Sequence, residues 1–143
     1  MQSDLARTSL GAAAALAASA LLLSATAGDA APLTVAAEGV RSARGVLRVG
    51  VYDAANRAVA TRAVPAVPGR IVVDFEVPAG SYAVKLHHDE DGDGRLATGP
   101  FGIPREGYGF SNRARAVLGV PSFDKIRVDV GPAPASTAAT LRY

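Results

Sequence analysis

An acidic, glycine-containing stretch at residues 89–96 has the clearest chemical potential in this sequence. Its carboxylates stand at alternate positions, and glycines separate the later ones. When such a chain curls, several oxygen atoms converge, which suits a hard cation such as Ca²⁺. The sequence therefore predicts a structural calcium site whose ligands are Asp89, Asp91, Asp93 and the backbone carbonyl of Arg95, with Glu106 as a further candidate.

Only the first half of this stretch matches the calcium loop that is flanked by helices. The twelfth position of that motif, where a bidentate glutamate belongs, is Pro100 here, and no helical pattern flanks the stretch. We therefore expect no EF-hand, and an ion would need other protein ligands or water. A solvated acidic turn is the competing interpretation, since aspartate and glycine favour turns for backbone reasons alone.

A small metal-dependent hydrolase is the enzymatic alternative, with His88, Asp89, Asp91 and Glu106 as its candidate residues. Neighbouring residues on a strand face opposite sides, so His87 and His88 would not bind one metal ion together. A zinc site at His88 also lacks a third nitrogen or sulfur ligand. We therefore expect a non-enzymatic protein in which His88 caps the rim of the core and His87 is solvated.

Residues 99–112 combine three aromatic residues with four glycines and two prolines. One interpretation is an exposed binding surface formed by Tyr108, Phe110 and Asn112, with the two rings as anchors. The other is a loop that plugs one end of the fold, with Phe101, Ile103 and Phe110 in a small satellite core. The second interpretation is favoured.

Hydrophobic alternation predicts the elements that hold these segments. Apolar residues recur at every second position from Leu33 onward, which is typical of strands with one buried face. The period disappears between His88 and Lys125, which predicts one long ordered loop. The fold class is all-β, an antiparallel β-sandwich of about seven strands, immunoglobulin-like or prealbumin-like. The strands are expected at residues 33–36, 46–53, 58–64 (an edge strand), 71–77, 81–88, 125–130 and 137–143, with 71–77 and 81–88 paired as a hairpin.

The amino terminus predicts export. Arg7 precedes an apolar run at residues 10–23, and small residues at Ala25 and Ala27 complete a signal peptide cleaved after Ala27. Residues 28–143 would then form one periplasmic or secreted domain with no membrane span.

Composition narrows the classes of partner. The chain has no cysteine, so disulfides do not stabilise it. Its net charge of +2 is too balanced to indicate a nucleic-acid partner. We therefore expect an unidentified envelope or extracellular partner.

Two motifs carry a resemblance to known families. The first combines the stretch from His88 to Gly94 with Gly-Ile-Pro-Arg-Glu-Gly-Tyr-Gly-Phe-Ser-Asn at residues 102–112 and Pro-Ser-Phe at 121–123. In these residues the sequence resembles the secreted bacterial family known as domain of unknown function 2141. The second motif, residues 77–82, is similar to the hairpin of transthyretin-like and carboxypeptidase regulatory-like sandwiches. The resemblance implies an exported β-sandwich and brings no activity with it.

Overall fold

The structure, a computed structural model, describes residues 29–143. The predicted signal peptide at residues 1–27 lies outside the described residues. Within them the chain forms eight strands, a single helical turn α1 (Phe123–Ile126) and two short 3-10 helices at Pro100–Gly102 and Ser111–Arg113. The strands are β1 (Ala30–Val40), β2 (Val46–Tyr52), β3 (Ala58–Pro65), β4 (Gly69–Pro78), β5 (Gly80–Asp89), β6 (Gly107–Phe110), β7 (Arg127–Val130) and β8 (Ala135–Thr140).

The strands form two sheets, which confirms the predicted all-β sandwich. The first sheet has the order β4-β1-β8 and the second has the order β3-β2-β5-β6. Strand β7 also pairs with β5, along residues that precede those paired with β6. All pairings are antiparallel except β1 with β8, which run parallel.

The core lies between the two sheets and is built from the alternating apolar positions that the sequence predicts. Each strand turns one face inward, because burying those side chains removes apolar surface from water. The predicted edge strand is also confirmed, as β3 ends the second sheet. The buried members of the core include Leu33 and Val35 of β1, Leu47, Val49 and Val51 of β2, Val73, Phe75 and Val77 of β4, and Val84 and Leu86 of β5.

The predicted hairpin between residues 71–77 and 81–88 is wrong. Strand β4 pairs with β1 in the first sheet, whereas β5 lies at the centre of the second. The turn after Pro78 therefore carries the chain across the core from one sheet to the other. The hydroxyl of Tyr82 donates to the Pro78 carbonyl oxygen at 2.7 Å and holds this crossing.

The long segment between β5 and β7 is more regular than predicted. It contains β6, which the sequence pattern missed, and α1, which delays the next strand from Lys125 to Arg127. Residues that follow β6 fold back over the outer face of the second sheet. On that face Ile126 packs with Phe110, the last residue of β6, and with Ala83 of β5 in a satellite cluster. Within residues 29–143 no helix has the length and hydrophobicity to cross a bilayer.

Candidate functional site

Asp89 is the organising residue of the acidic loop. It ends β5 and is fully buried, and its Oδ2 accepts a hydrogen bond from Nε of Arg48 on the neighbouring strand at 2.7 Å. The backbone N–H groups of Gly92 and Gly94 donate to its two carboxylate oxygens at 2.8 and 2.9 Å. Burial alone would raise the pKa of Asp89, but Arg48 and these amides outweigh it, so the pKa lies below its usual value. Asp89 therefore stays ionised and ties the loop to β2.

Asp91 and Asp93 lie in the exposed part of the same loop. Each accepts a hydrogen bond from the backbone N–H two residues later, Asp93 at 3.0 Å and Arg95 at 2.7 Å. The amide of Asp93 acts to lower the pKa of Asp91, but desolvation and the nearby carboxylates of Asp93 and Glu106 outweigh it, and the pKa is raised. The two side chains and Asp89 bring carboxylate oxygens within 4.8 Å of one another.

Glu106 meets the loop from the segment that leads into β6. It is buried, and it accepts hydrogen bonds from the backbone amides of Glu90 at 2.9 Å and Ala97 at 3.0 Å. His87 Nε2 lies 2.9 Å from the same carboxylate. Burial opposes ionisation of Glu106, yet its hydrogen bonds keep its pKa below the usual value. The structure thus places Glu106 at the base of the acidic loop, beside His87 and Asp89.

His88 does not join these carboxylates. It faces the opposite side of β5, is fully buried, and lies with Nδ1 2.7 Å from the Tyr143 hydroxyl and Nε2 2.8 Å from the Arg44 carbonyl oxygen. The imidazole that meets the acidic residues belongs to His87, which is half-buried rather than solvated. The geometry that the hydrolase alternative needs at His88 is therefore not the one observed.

The aromatic residues of the predicted binding surface are mostly covered. Phe110 is buried in the satellite cluster, and Tyr108 is partly buried with its ring centroid 6.0 Å from that of Phe110. Asn112 is exposed, but its side-chain amide donates to the Arg127 carbonyl oxygen at 2.9 Å. Conversely, Phe101 is fully exposed and Ile103 mostly so, although the favoured interpretation placed both in the satellite core.

An apolar groove lies on the outer side of the second sheet, between residues 96–104 and residues 116–120. We call these segments loop A and loop B. The groove has a volume of about 580 Å³, and Tyr108 and Phe110 form part of its lining. Loop B lay outside every predicted site, although its apolar run Ala-Val-Leu-Gly-Val keeps no strand period and was a usable signal. The exposed apolar side chains that line the groove are Leu96, Phe101, Ile103, Val117, Leu118 and Val120.

A cationic hollow adjoins the groove on the same face. Strand register places Arg48 opposite His87 and His87 opposite Tyr108, and it places Lys85 opposite Phe110. Arg48, Lys85 and His87 line this hollow of about 350 Å³. Burial lowers the pKa of Lys85, whose ammonium lies 4.8 Å from the centre of the Tyr52 ring. One continuous face therefore combines basic side chains with an apolar groove.

These observations define a class of protein: a two-sheet β-sandwich with a hydrogen-bonded acidic loop and an apolar groove on the outer side of one sheet. The chain belongs to the bacterial family described as an uncharacterized protein conserved in bacteria (DUF2141), whose family model matches residues 35–138. The resemblance of the first sequence motif to domain of unknown function 2141 is thereby confirmed. No curated protein and no solved structure matches the chain.

Proposed function

We propose that this protein is an exported, non-enzymatic binding module of the bacterial cell envelope, and that it binds its partner in the groove between loops A and B. The observation that carries the proposal is the exposure of large apolar side chains from two separate loops along one groove. Soluble monomers rarely leave a contiguous patch of this kind uncovered, and such patches mark binding sites.

The state of the polar cluster supports a non-enzymatic role. Asp89 accepts three hydrogen bonds and Glu106 accepts three, all from groups of the protein itself. Groups held in this way shape a loop, because a substrate would have to displace several of these donors to reach the carboxylates. The predicted export of the chain motivates the envelope as the place of action.

The proposal gives calcium a structural role in the acidic loop. Arg48 already neutralises Asp89, so an ion would act mainly on Asp91 and Asp93. Desolvation and then the neighbouring carboxylates raise the pKa of Asp91, and a bound cation would relieve the repulsion between those carboxylates. A loop ordered in this way would hold Leu96 and the start of loop A in place.

Site-specific photo-crosslinking tests the binding role. A photoreactive phenylalanine analogue replaces Phe101 in one variant and Leu118 in a second, in the full chain expressed with export. Val67, an exposed apolar residue outside the groove, carries the same analogue in the control. We expect adducts from positions 101 and 118 and none above background from position 67. Equal yields at all three positions, or no adduct at any of them, would contradict the proposal.

A further inference from the structure

The tips of loops A and B expose apolar side chains that contribute nothing to the core. Phe101 is 100% exposed and Leu118 is 102% exposed, so these side chains are as accessible as in an extended peptide. Val117, which precedes Leu118 in loop B, is 84% exposed. Burial of such side chains stabilises a complex with a partner, because it removes their apolar surface from water.

Loop A presents Phe101 on a fixed tip. Around the tip, the amide of Gly99 donates to the Ile103 carbonyl oxygen at 2.7 Å, and that of Arg105 donates to the Ala97 carbonyl oxygen at 2.8 Å. Phe101 itself has φ +63°, a left-handed conformation that is uncommon for an aromatic residue. The loop is closed by its own backbone hydrogen bonds, and the Phe101 ring lies outside the core.

Exposed arginines lie beside both loops in the chain. Residues 94–122 hold four arginines and one glutamate, and the exposed Asp91, Asp93 and Asp124 lie just outside this range. The glutamate is Glu106, which is buried and held by its own hydrogen bonds. Arg113 pairs with Glu38 of the first sheet. Within residues 29–143, no salt bridge involves Arg95, Arg105 or Arg115, each of which is exposed and adjoins a groove-lining residue in the chain.

The neighbouring sheet edge does not offer a place for an added peptide strand. The outer side of β6 is occupied by the carboxyl-terminal segment, because the Tyr108 amide donates to the Arg142 carbonyl oxygen at 2.9 Å and the Arg142 amide donates back at 2.8 Å. Backbone pairing, the usual way in which a sheet edge captures an extended peptide, is thus blocked beside the groove. What remains is a pair of protruding apolar tips with three exposed arginines next to the groove-lining residues in the chain.

We propose that loops A and B dock the protein on an anionic lipid bilayer, with Phe101 and Leu118 inserted at the interface and the arginines on the lipid headgroups. Insertion of apolar side chains at the boundary between headgroups and acyl chains favours binding, because it removes apolar surface from water. The negative surface potential of the bilayer attracts the cationic side chains. The guanidinium groups stay at headgroup level while their stems lie against the apolar layer. This inference rests on the proposed function and names the partner of its groove.

Tryptophan fluorescence from one inserted residue tests the docking. The chain contains no tryptophan, so Phe101→Trp and Leu118→Trp each introduce a single reporter, and Val67→Trp is the matched control. The full-length variants are mixed with vesicles of phosphatidylcholine alone or with phosphatidylglycerol added. We expect a blue shift and quenching by brominated lipid for reporters 101 and 118 on anionic vesicles, and neither change for reporter 67.

Charge variants test the contribution of the arginines in the same assay. Combining Arg105→Gln and Arg115→Gln in the Phe101→Trp variant should weaken its binding to anionic vesicles by roughly 5-fold for each arginine removed. The apolar amino-terminal run could attach the chain to vesicles by itself, so co-sedimentation with vesicles does not show which part of the protein binds. The emission of the tryptophan reporter shows whether loops A and B enter the bilayer. Reporters 101 and 118 that keep their aqueous emission on anionic vesicles would overturn the inference. If photo-crosslinking from those positions then yields protein adducts, the proposed binding function stands with a protein partner.

Discussion

The hydroxyl of Ser111 completes the hydrogen bonding of Val84 at a gap in the second sheet. Strand β6 pairs with β5 from Lys85 onward, and β7 pairs with β5 only as far as Ala83. Val84 falls between them, and its backbone N–H donates to Ser111 Oγ at 3.0 Å. The same hydroxyl donates to the Ile126 carbonyl oxygen and is fully buried. The Ser111 side chain thus supplies the hydrogen bond that a neighbouring strand would supply, at the point on β5 where β7 ends and β6 begins.

Replacing this hydroxyl should destabilise the whole fold. Ser111→Ala leaves buried backbone groups of β5 and α1 without their partner, so we expect the free energy of unfolding to fall by about 1–3 kcal/mol. Urea denaturation followed by circular dichroism measures the change. Ser136→Ala on β8, where the side chain is exposed, is the control. A loss at Ser111 no larger than that of the control would contradict this role.

The glycine at position 109 should tolerate no side chain. A Cβ atom there would lie 2.8 Å from the Thr140 carbonyl oxygen, which is backbone and has little room to move. We expect Gly109→Ala to lower the free energy of unfolding by about 1–3 kcal/mol. Gly131→Ala, where a Cβ meets nothing within 4 Å, should change it by less than about 0.5 kcal/mol. Equal melting temperatures for the two variants would disprove the close approach.

Tyr143 should stabilise the fold through its hydroxyl. Tyr143→Phe leaves Nδ1 of the buried His88 without its partner, and the Arg41 guanidinium stays over the ring, where its distance from the ring centre is 4.1 Å. We expect a loss of about 1–3 kcal/mol in chemical denaturation. Tyr52→Phe serves as the control, because the ring contact with Lys85 does not require the hydroxyl. A neutral Tyr143→Phe would show that His88 finds water instead.

Glu90 should make stability depend on pH in the acid range. Its hydrogen bonds from Arg41 and then from Ser42 outweigh burial and lower its pKa from 4.5 to about 2. A carboxyl with a lowered pKa stabilises the folded state fully above its unfolded pKa and loses that effect as pH falls toward the folded value. We expect the stability advantage of the native protein over Glu90→Gln to shrink between pH 4.5 and about 2.

Thermal melts at a series of pH values measure that advantage. Glu76→Gln, at an exposed position on β4, is the control for general charge effects. A difference between native protein and Glu90→Gln that stays constant over the acid range would argue against an ionised Glu90 in the fold.

Calcium should raise the melting temperature if the acidic loop binds it. A ligand that binds only the folded state stabilises it in proportion to the logarithm of its concentration over its Kd. Adding Ca²⁺ should therefore raise the midpoint, a chelator should reverse the rise, and Asp93→Asn should reduce it. Asp124→Asn, an exposed carboxylate on α1, should leave it intact. A midpoint that is the same with calcium and with chelator would remove the ion from the proposal.

The sequence by itself determined which faces of the strands are buried. Alternating apolar side chains such as Leu47, Val49 and Val51 permit only one inward face, so local periodicity is sufficient. The acidic loop was also recognisable, because aspartate and glycine act through their own backbone neighbours.

Only the tertiary structure decided which strands pair and which polar groups meet. Strands β4 and β5 keep the same alternation whether they pair side by side or face each other across the core, so the pattern could not exclude a hairpin. His88 meets Tyr143 and Ser111 meets Val84 across long stretches of chain. The exposed positions of Phe101 and Leu118 likewise follow from the way their loops close around the groove. Such contacts depend on the packing of the whole fold, and no local spacing encodes them.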